Sequence, residues 1–191
     1  MSIQASAKIL CLASSLFFVG CQSIVKQPPQ INTQVEAENQ FNLQGKIGVR
    51  TPQQSGSAFF TWVQQQDEFD IELSGMLGLG KTQISGQPGK VTLNSNQTGL
   101  IEASTAEELL FKATGWQAPI ESIVSWVQAR PATSNAQFNK DDQQRLIQII
   151  ENGWTVDLSY NHNAQLPNKL ILKQALENNT ENRITMVIQN R

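Results

Sequence analysis

Phe69-Asp70-Ile71-Glu72-Leu73 is the stretch that decides the fold class, because apolar and acidic side chains alternate along it without a break. A period of two is typical of a β-strand that buries one face and exposes the other. The same period occurs earlier, from Phe41 to Val49 and again at Phe60 and Trp62. We therefore expect the folded domain to begin with three antiparallel strands.

Helical signals interrupt the strands in the middle of the chain. Two short strands are predicted first, at Val91 to Leu93 and at Thr98 to Ala103. Ser104-Thr105-Ala106-Glu107 then fits a capping box at the start of a first helix, and Gly115 stands where that helix would stop. A second helix is expected to begin near Pro119, since proline suits a first helical position, and Pro131 is expected to end it.

Strand patterns return in the last third of the chain. Leu146 to Ile150 and Trp154 to Tyr160 flank Asn152-Gly153, a strong signal for a β-hairpin turn. Lys169 to Ala175 and Ile184 to Ile188 predict a final hairpin. The order of strands, two helices and strands predicts a mainly β fold with helices (α+β). We expect one curved antiparallel sheet with the helices packed on its concave side.

The N-terminus has the pattern of a bacterial lipoprotein precursor. Met1 to Gly20 reads as a signal peptide, and Phe18-Val19-Gly20-Cys21 resembles a lipobox whose cysteine becomes the acylated N-terminus. The alternative is a membrane-spanning helix, but the apolar run of about a dozen residues is shorter than the ~20 that spanning requires. Gln22 follows the cysteine in place of Asp, which in the general bacterial sorting pattern implies the outer membrane.

These signals predict three segments. Residues 1–20 form the signal peptide, 21–40 hold the lipidated Cys21 and a flexible tether, and 41–191 form the folded domain. The tether is expected because it contains Pro28-Pro29, many amides and few large apolar residues.

Composition limits the classes of partner and chemistry. The chain has 14 basic and 16 acidic residues, and loss of Lys8 with the signal peptide leaves a balance near −3. A charge-driven nucleic-acid partner is therefore not expected. Cys11 leaves with the signal and Cys21 is acylated, so the mature domain has no thiol for a disulfide, metal site or catalysis. We therefore expect no cofactor apart from the covalent lipid on Cys21. We also expect that the protein is not an enzyme.

Gly75-Met76-Leu77-Gly78-Leu79-Gly80-Lys81-Thr82 matches the phosphate-binding loop pattern of nucleoside triphosphatases letter by letter. That chemistry needs a helix starting at Lys81, and the glycines and proline of the segment 83–89 oppose one. We therefore expect no nucleotide site. The same segment has a second interpretation, in which Met76, Leu77 and Leu79 form an exposed apolar loop that contacts a membrane or a partner. They could equally fold back onto the core.

Large aromatic side chains are candidates for the walls of an internal cavity. Any one of the tryptophans could instead be an ordinary core residue. If the sheet and helices leave a gap, we expect the following side chains to line it: Phe60, Trp62, Trp116, Trp126 and Trp154. The single histidine, His162, follows a strand in an Asn-rich loop and is expected to be solvated, and Asp141-Asp142 is expected to form a turn.

A series of short motifs, in order, resembles the LolB family of outer-membrane lipoprotein receptors. The series runs through Leu43-Gln44-Gly45-Lys46-Ile47, Phe60-Thr61-Trp62, Leu77-Gly78, Leu109-Leu110 with Gly115-Trp116, Pro119-Ile120 with Trp126, and Gly153-Trp154-Thr155-Val156. Two positions depart from the family pattern. Met76 replaces a common proline, and Lys81 creates the phosphate-loop match.

The resemblance implies both a fold and a function. It implies an open, strongly curved antiparallel β-barrel with a helical plug, whose cavity holds acyl chains. It implies a monomer that accepts cargo lipoproteins from a periplasmic LolA-like carrier and delivers them to outer-membrane lipid without nucleotide. By position, Leu77 is the residue that assists delivery. The alternative is a structural outer-membrane lipoprotein with a packed core and no cavity, acting as a protein–protein module.

Overall fold

One antiparallel sheet of 11 strands dominates the part of the chain that the computed structural model describes, residues 39–75, 80–96 and 98–191. The strands are β1 Gln40–Arg50, β2 Ser55–Gln65, β3 Glu68–Ser74, β4 Lys81–Gln87, β5 Lys90–Ser95, β6 Gly99–Ala103, β7 Gln137–Lys140, β8 Leu146–Glu151, β9 Trp154–Ser159, β10 Lys169–Ala175 and β11 Glu181–Asn190. Two α-helices, α1 Ala106–Thr114 and α2 Ile120–Trp126, separate β6 from β7. The predicted fold class, mainly β with helices, is confirmed.

The strand order explains why the helices lie across the sheet. It is β6-β5-β4-β3-β2-β1-β11-β10-β9-β8-β7, so β1 and β11 pair in the middle and β6 and β7 form the two edges. The helical segment joins these edges and must therefore cross a face of the sheet. We call residues 106–126 the helical plug.

Local sequence sets the ends of α1. Thr105 is the N-cap, and its hydroxyl accepts a hydrogen bond from the Glu108 amide at 3.1 Å. The Glu108 carboxylate in turn accepts from the Ser104 amide at 2.8 Å. The capping box thus lies one residue later than predicted. Gly115 ends the helix as expected, with a φ of 71° that glycine adopts without strain.

Helix α2 is shorter than the sequence predicts. Pro119 is its N-cap and not its first helical residue, and the helix ends at Trp126. The prediction that Pro131 ends it was wrong by about one turn. Ala129 has a φ of 54°, so the backbone leaves the helical conformation before the proline can act.

The predicted hairpin turn at Asn152-Gly153 is confirmed. Both residues have positive φ, 51° and 76°, and they join β8 to β9 in an antiparallel pair. Such a turn needs two left-handed residues, which Asn and Gly supply at low cost.

No helix in the described ranges is both long and apolar enough to span a membrane.

The hydrophobic core is unevenly distributed under the plug. Its main cluster joins α2 to the strands on both sides of the β1–β11 pair, and includes Leu43, Phe60, Trp62, Ile123, Trp126, Ile149, Trp154, Val156, Leu170, Leu172, Ile184 and Met186. On the β4–β6 side, a smaller cluster has only Val91, Leu93 and Leu109 as buried members. The half of the sheet beneath α1 is therefore the less tightly packed half.

Candidate functional site

An apolar cavity of about 140 Å³ lies beneath α1, on the loosely packed half of the sheet. Strands β3, β4 and β5 form its floor and the plug forms its roof. The lining residues are Phe69, Ile71, Leu73, Thr82, Ile84, Leu93, Ser95, Thr98, Ala106, Leu109, Leu110, Ala113, Thr114 and Ile120. The strand residues among them alternate along each strand, because a pleated strand presents every second side chain to one face.

Three of the hydroxyl groups in the lining already have partners. Thr114 donates to the Leu110 carbonyl at 2.8 Å within α1. The hydroxyls of Ser95 and Thr98 are 2.8 Å apart and hydrogen-bond each other. No ionisable side chain lines the cavity. Such a site favours an apolar ligand, since it supplies no charge to recognise a polar one.

The cavity is small in this conformation. A cavity of about 150 Å³ lined by Leu, Ile and Phe accommodates a molecule the size of benzene. The cavity beneath α1 thus has room for part of one acyl chain, not for several whole chains.

A larger groove adjoins the cavity. It has a volume of about 440 Å³ and a more polar lining. Phe69, Ala106 and Ile120 line both spaces and form the partition between them. Displacement of the plug, which carries Ala106 and Ile120, would join the two spaces.

The plug is held firmly at one end. Trp126, at the end of α2, is fully buried, and its indole N–H donates to the Glu151 carboxylate at 2.5 Å. The same carboxylate accepts from the Ala132 and Thr133 amides at 2.8 and 2.7 Å and from the Thr133 hydroxyl at 2.6 Å. Glu151 therefore fixes the C-terminal end of α2, and the chain that follows it, to strand β8.

These hydrogen bonds also determine the ionisation of Glu151. Burial raises the pKa of its carboxyl group, but the donors of Ala132, Thr133 and Trp126 outweigh burial and leave the pKa below its ordinary value. The ionised carboxylate is thus the form that the fold stabilises.

A second contact joins the two helices. The Glu107 carboxylate of α1 accepts a hydrogen bond from the Glu121 amide at 2.9 Å, and Glu121 lies in the first turn of α2. Pro119 makes no side-chain cap of its own. Helix α1 therefore supplies the N-terminal cap of α2.

The aromatic side chains predicted to line a cavity lie elsewhere. Phe60, Trp62, Trp126 and Trp154 are buried in the main core cluster, and Trp116 packs partly buried against it. None of the five lines the cavity beneath α1. Their assignment to an acyl-chain site stays a prediction.

Trp62 and Trp116 differ in how their indole groups are satisfied. The Trp62 N–H donates to the Gln64 side-chain oxygen at 2.9 Å, as expected of a core tryptophan whose polar group is hydrogen-bonded. The Trp116 N–H is buried without a hydrogen-bond partner. An unpaired buried donor costs free energy. The connection between α1 and α2, which contains Trp116, is therefore less well stabilised than the core around Trp62.

Two predicted site residues, Cys21 and Leu77, fall outside the described residues. The predicted lipidation and membrane-delivery roles therefore stay predictions.

The phosphate-loop match does not have the fold that the chemistry needs. Lys81 and Thr82 begin strand β4, not a helix. The Lys81 ammonium is 2.8 Å from the Glu72 carboxylate.

His162 is exposed, and across residues 39–75, 80–96 and 98–191 no group of His, Cys, Asp and Glu could hold a metal ion.

Sequence analysis missed most of the cavity lining. Strand β4 was not predicted, because Ile84 is the only large apolar residue that its inner face contributes. Ile71 and Leu73 were predicted to be inward-facing, and Leu109 and Leu110 belong to a recognised motif. A signal that could have found the site was the alternation of these strand residues opposite an apolar helix.

Comparison with known proteins places the chain in a family. The family model described as Outer membrane lipoprotein LolB matches residues 39–190. Proteins named outer-membrane lipoprotein LolB from Stutzerimonas stutzeri (strain A1501) and Pseudomonas savastanoi pv. phaseolicola (strain 1448A / Race 6) are each 40% identical to it, over 137 and 129 residues. These alignments cover 70% and 66% of this chain, and they span 66% and 63% of the length of those relatives.

Among solved structures, a LolA superfamily protein from Nitrosomonas europaea superposes with a TM-score of 0.46 and 9% sequence identity, covering 83% of this chain and 94% of that one. The family match extends from the residue before β1 to the last residue of β11, and so includes the whole sheet, the plug and the cavity between them. The chain belongs to the LolB family of outer-membrane lipoproteins.

Proposed function

We propose that this protein is an outer-membrane-anchored receptor for lipoproteins. It accepts them from a periplasmic carrier, holds their acyl chains in the apolar space beneath the plug, and delivers them into the outer membrane without nucleotide hydrolysis. Membership of the LolB family supports the receptor role.

The observation that carries the proposal is the apolar cavity beneath α1. Its lining has no charge, and the Thr114, Ser95 and Thr98 hydroxyls are already hydrogen-bonded. It lies on the half of the sheet with the smaller core cluster. An apolar cavity beneath a loosely packed element is suited to a ligand that the protein takes up and releases.

The cavity must enlarge to hold complete chains. The end of α2 at Trp126 is fixed by Glu151, whereas the buried residue of α1, Leu109, packs in the small cluster with Val91 and Leu93. We therefore expect α1 and the start of α2 to move away from β3–β5 while Trp126 stays in place. This motion would join the cavity to the adjacent groove past Phe69.

A magnitude explains why the cargo needs such a protein. Exposing one ~16-carbon chain to water costs about 12 kcal/mol, at ~0.8 kcal/mol per CH₂. Cargo must therefore pass from one apolar site to the next. Without nucleotide, transfer follows a gradient of affinity, in which this cavity binds acyl chains more tightly than the carrier and less tightly than the membrane.

Two residues outside the described ranges complete the proposal. Acylated Cys21 anchors the protein, so that accepted cargo is released close to the membrane. Leu77, on the segment between β3 and β4, enters the headgroup boundary and assists the departure of acyl chains.

The experiment that tests the cavity uses two adjacent residues of α1. Leu110 lines the cavity, whereas Phe111 points away from it and is 52% exposed. Leu110→Glu should weaken the binding of an apolar fluorescent probe at least tenfold, because the carboxylate would have to be desolvated. Phe111→Glu is the matched control and should bind the probe normally. If the wild-type protein does not bind the probe at all, the alternative is correct, and the protein is a structural module without a usable cavity.

A further inference from the structure

The face of the sheet opposite the plug is basic across three adjacent strands, β1, β11 and β10. Alternation along β1, β10 and β11 directs most of their apolar side chains toward the plug, so the intervening side chains lie on the other face. Five of these are cationic and form what we call the basic face: Lys46, Arg50, Lys169, Lys173 and Arg183. The chain as a whole has a net charge of −2, whereas on this face the three strands carry five cations and one carboxylate, Glu181.

Much of this charge is uncompensated. Lys173 is 2.8 Å from Asp157, and Arg183 is 3.8 Å from Glu181. Within the part of the chain that the structure describes, no carboxylate lies within salt-bridge distance of the other three cations, Lys46, Arg50 and Lys169. An anionic surface would find free cations at this face.

Exposed apolar side chains lie between the cations. Strand register places Lys46 opposite Phe59 on one side and opposite Val187 on the other, and Val187 opposite Lys169. Phe59 is 58% exposed and Val187 is 36% exposed. The Lys46 ammonium lies 5.9 Å from the centre of the Phe59 ring. A row of alternating cationic and apolar side chains suits the boundary between headgroups and acyl chains.

The row leads to the segment proposed for membrane delivery. Phe59 is paired with Ser74, and Ser74 with Lys81. Ser74 and Lys81 are the facing ends of β3 and β4, on either side of the segment that contains Leu77. A membrane surface that meets this end of the hairpin also meets the row from Lys81 to Lys169.

We propose that the basic face docks the domain onto a bilayer containing anionic phospholipid. The inference rests on the membrane location in the proposed function. In this orientation the plug and the cavity face away from the membrane. The receptor then meets its carrier on one side while its other side stays on the bilayer that takes the cargo.

The test uses the full acylated chain in vesicles. A fluorophore on Ser57→Cys, an exposed position on the same face two residues before Phe59, reports contact with quencher-labelled lipid. A fluorophore on Gln117→Cys, an exposed position within the plug, reports the opposite side. In phosphatidylglycerol-containing vesicles at low salt, we expect quenching at position 57 and not at position 117. Salt should reduce it, since exposed charges are screened.

Paired charge variants test the cations themselves. Each basic side chain near an anionic surface contributes about a fivefold gain in binding. Lys46→Gln with Lys169→Gln should therefore lower the docked-to-undocked ratio by about 25-fold. Lys112→Gln with Lys140→Gln removes the same charge from helix α1 and from β7, away from the basic face, and should leave quenching unchanged.

Four outcomes would overturn the proposal. Equal quenching at positions 57 and 117 would show that the domain has no preferred side. Equal effects of the two lysine pairs would show that net charge alone acts. If Lys46→Gln with Lys169→Gln left quenching unchanged but abolished cargo uptake from the carrier, the basic face would instead bind an acidic protein surface. Normal cargo delivery without quenching at position 57 would defeat this inference alone, whereas absence of cargo transfer by the original protein would defeat the proposed function.

Discussion

The Phe69 ring occupies the place where a side chain on Gly86 would stand. The two residues are paired across β3 and β4, and the Phe69 ring atom Cε1 is 2.2 Å from the position of a Cβ on Gly86. Rings commonly pack over a glycine on a neighbouring strand in this way. Phe69 is part of the partition between the cavity and the adjacent groove, so Gly86 positions a wall of the proposed ligand site.

Gly86→Ala should displace this wall. The new methyl group would push the Phe69 ring toward the cavity, and we expect weaker binding of an apolar probe together with a loss of about 1–3 kcal/mol in the free energy of unfolding. Probe titration and urea denaturation measure the two effects. Gly48→Ala is the control, since the nearest atom to its Cβ would be 3.9 Å away. Normal probe affinity in the Gly86 variant would show that the ring is not a wall of the ligand site.

Gly45→Ala should destabilise the fold without acting on the cavity. A Cβ at Gly45 would lie 2.0 Å from the Val187 carbonyl oxygen, at an irregularity in the β1–β11 pairing. Main-chain atoms cannot move aside as a side-chain end can, so we expect a loss of about 3 kcal/mol in unfolding free energy. Urea denaturation alongside Gly48→Ala measures it. A loss below about 1 kcal/mol would contradict the close packing of the two strands.

Ionised Glu151 should make stability depend on pH. Because its pKa is lower in the folded protein than its ordinary value of 4.5, its contribution is complete above pH 4.5 and is lost as the pH falls through the folded pKa. Glu151→Gln should cost about 3 kcal/mol at neutral pH, and this difference should shrink in acid. Unfolding in urea from neutral pH down to about pH 3 measures it. Exposed Glu177→Gln is the control, and a constant difference at every pH would contradict the role of the charge.

Leu77→Glu should separate cargo uptake from cargo delivery. A glutamate is repelled by the headgroup boundary and is costly to bury there. We expect the variant to accept lipoprotein from the carrier but to release it poorly into liposomes. In a reconstituted assay, cargo should accumulate on the variant while liposome-bound cargo falls. Normal delivery would remove the role proposed for Leu77, and lost uptake would place it inside the cavity.

Cys21→Ala should abolish acylation and leave the protein unanchored or retained with its signal. Acceptance of cargo should survive, because the tether contributes only local concentration. Mass spectrometry of the original protein measures the modification directly. An unmodified Cys21 there would contradict the proposed anchor.

Strongly periodic elements could be predicted from the sequence. Strand β3 alternates without a break, and the hairpin at Asn152-Gly153 depends on two adjacent residues that favour positive φ. Strands β4 and β7 could not be predicted in the same way. Strand β4 has one large apolar residue, and every residue of β7 is exposed. Their conformation depends on pairing with β3 and β8, which is tertiary information.

The candidate site was less predictable than the fold. Tryptophans are large enough to fill either a core or a cavity wall, and composition does not distinguish the two. Trp126 lies in the core because Glu151, 25 residues later, supplies a carboxylate for its indole. The cavity depends instead on small gaps between ordinary residues such as Ile84 and Leu110, and a gap between side chains has no local sequence signal.

The hydrogen bond from the Glu121 amide to Glu107 has a consequence for the dynamics of the plug. A helix whose first turn is capped by its neighbour cannot lose that neighbour without fraying, so α1 and the start of α2 should open as a single cooperative unit. Amide hydrogen exchange would then show one shared opening free energy for residues 109–114 and 121–123, distinct from that of the main core. Cargo entering beneath α1 would therefore encounter only two conformations of the plug, one with both helix segments in place and one with both displaced.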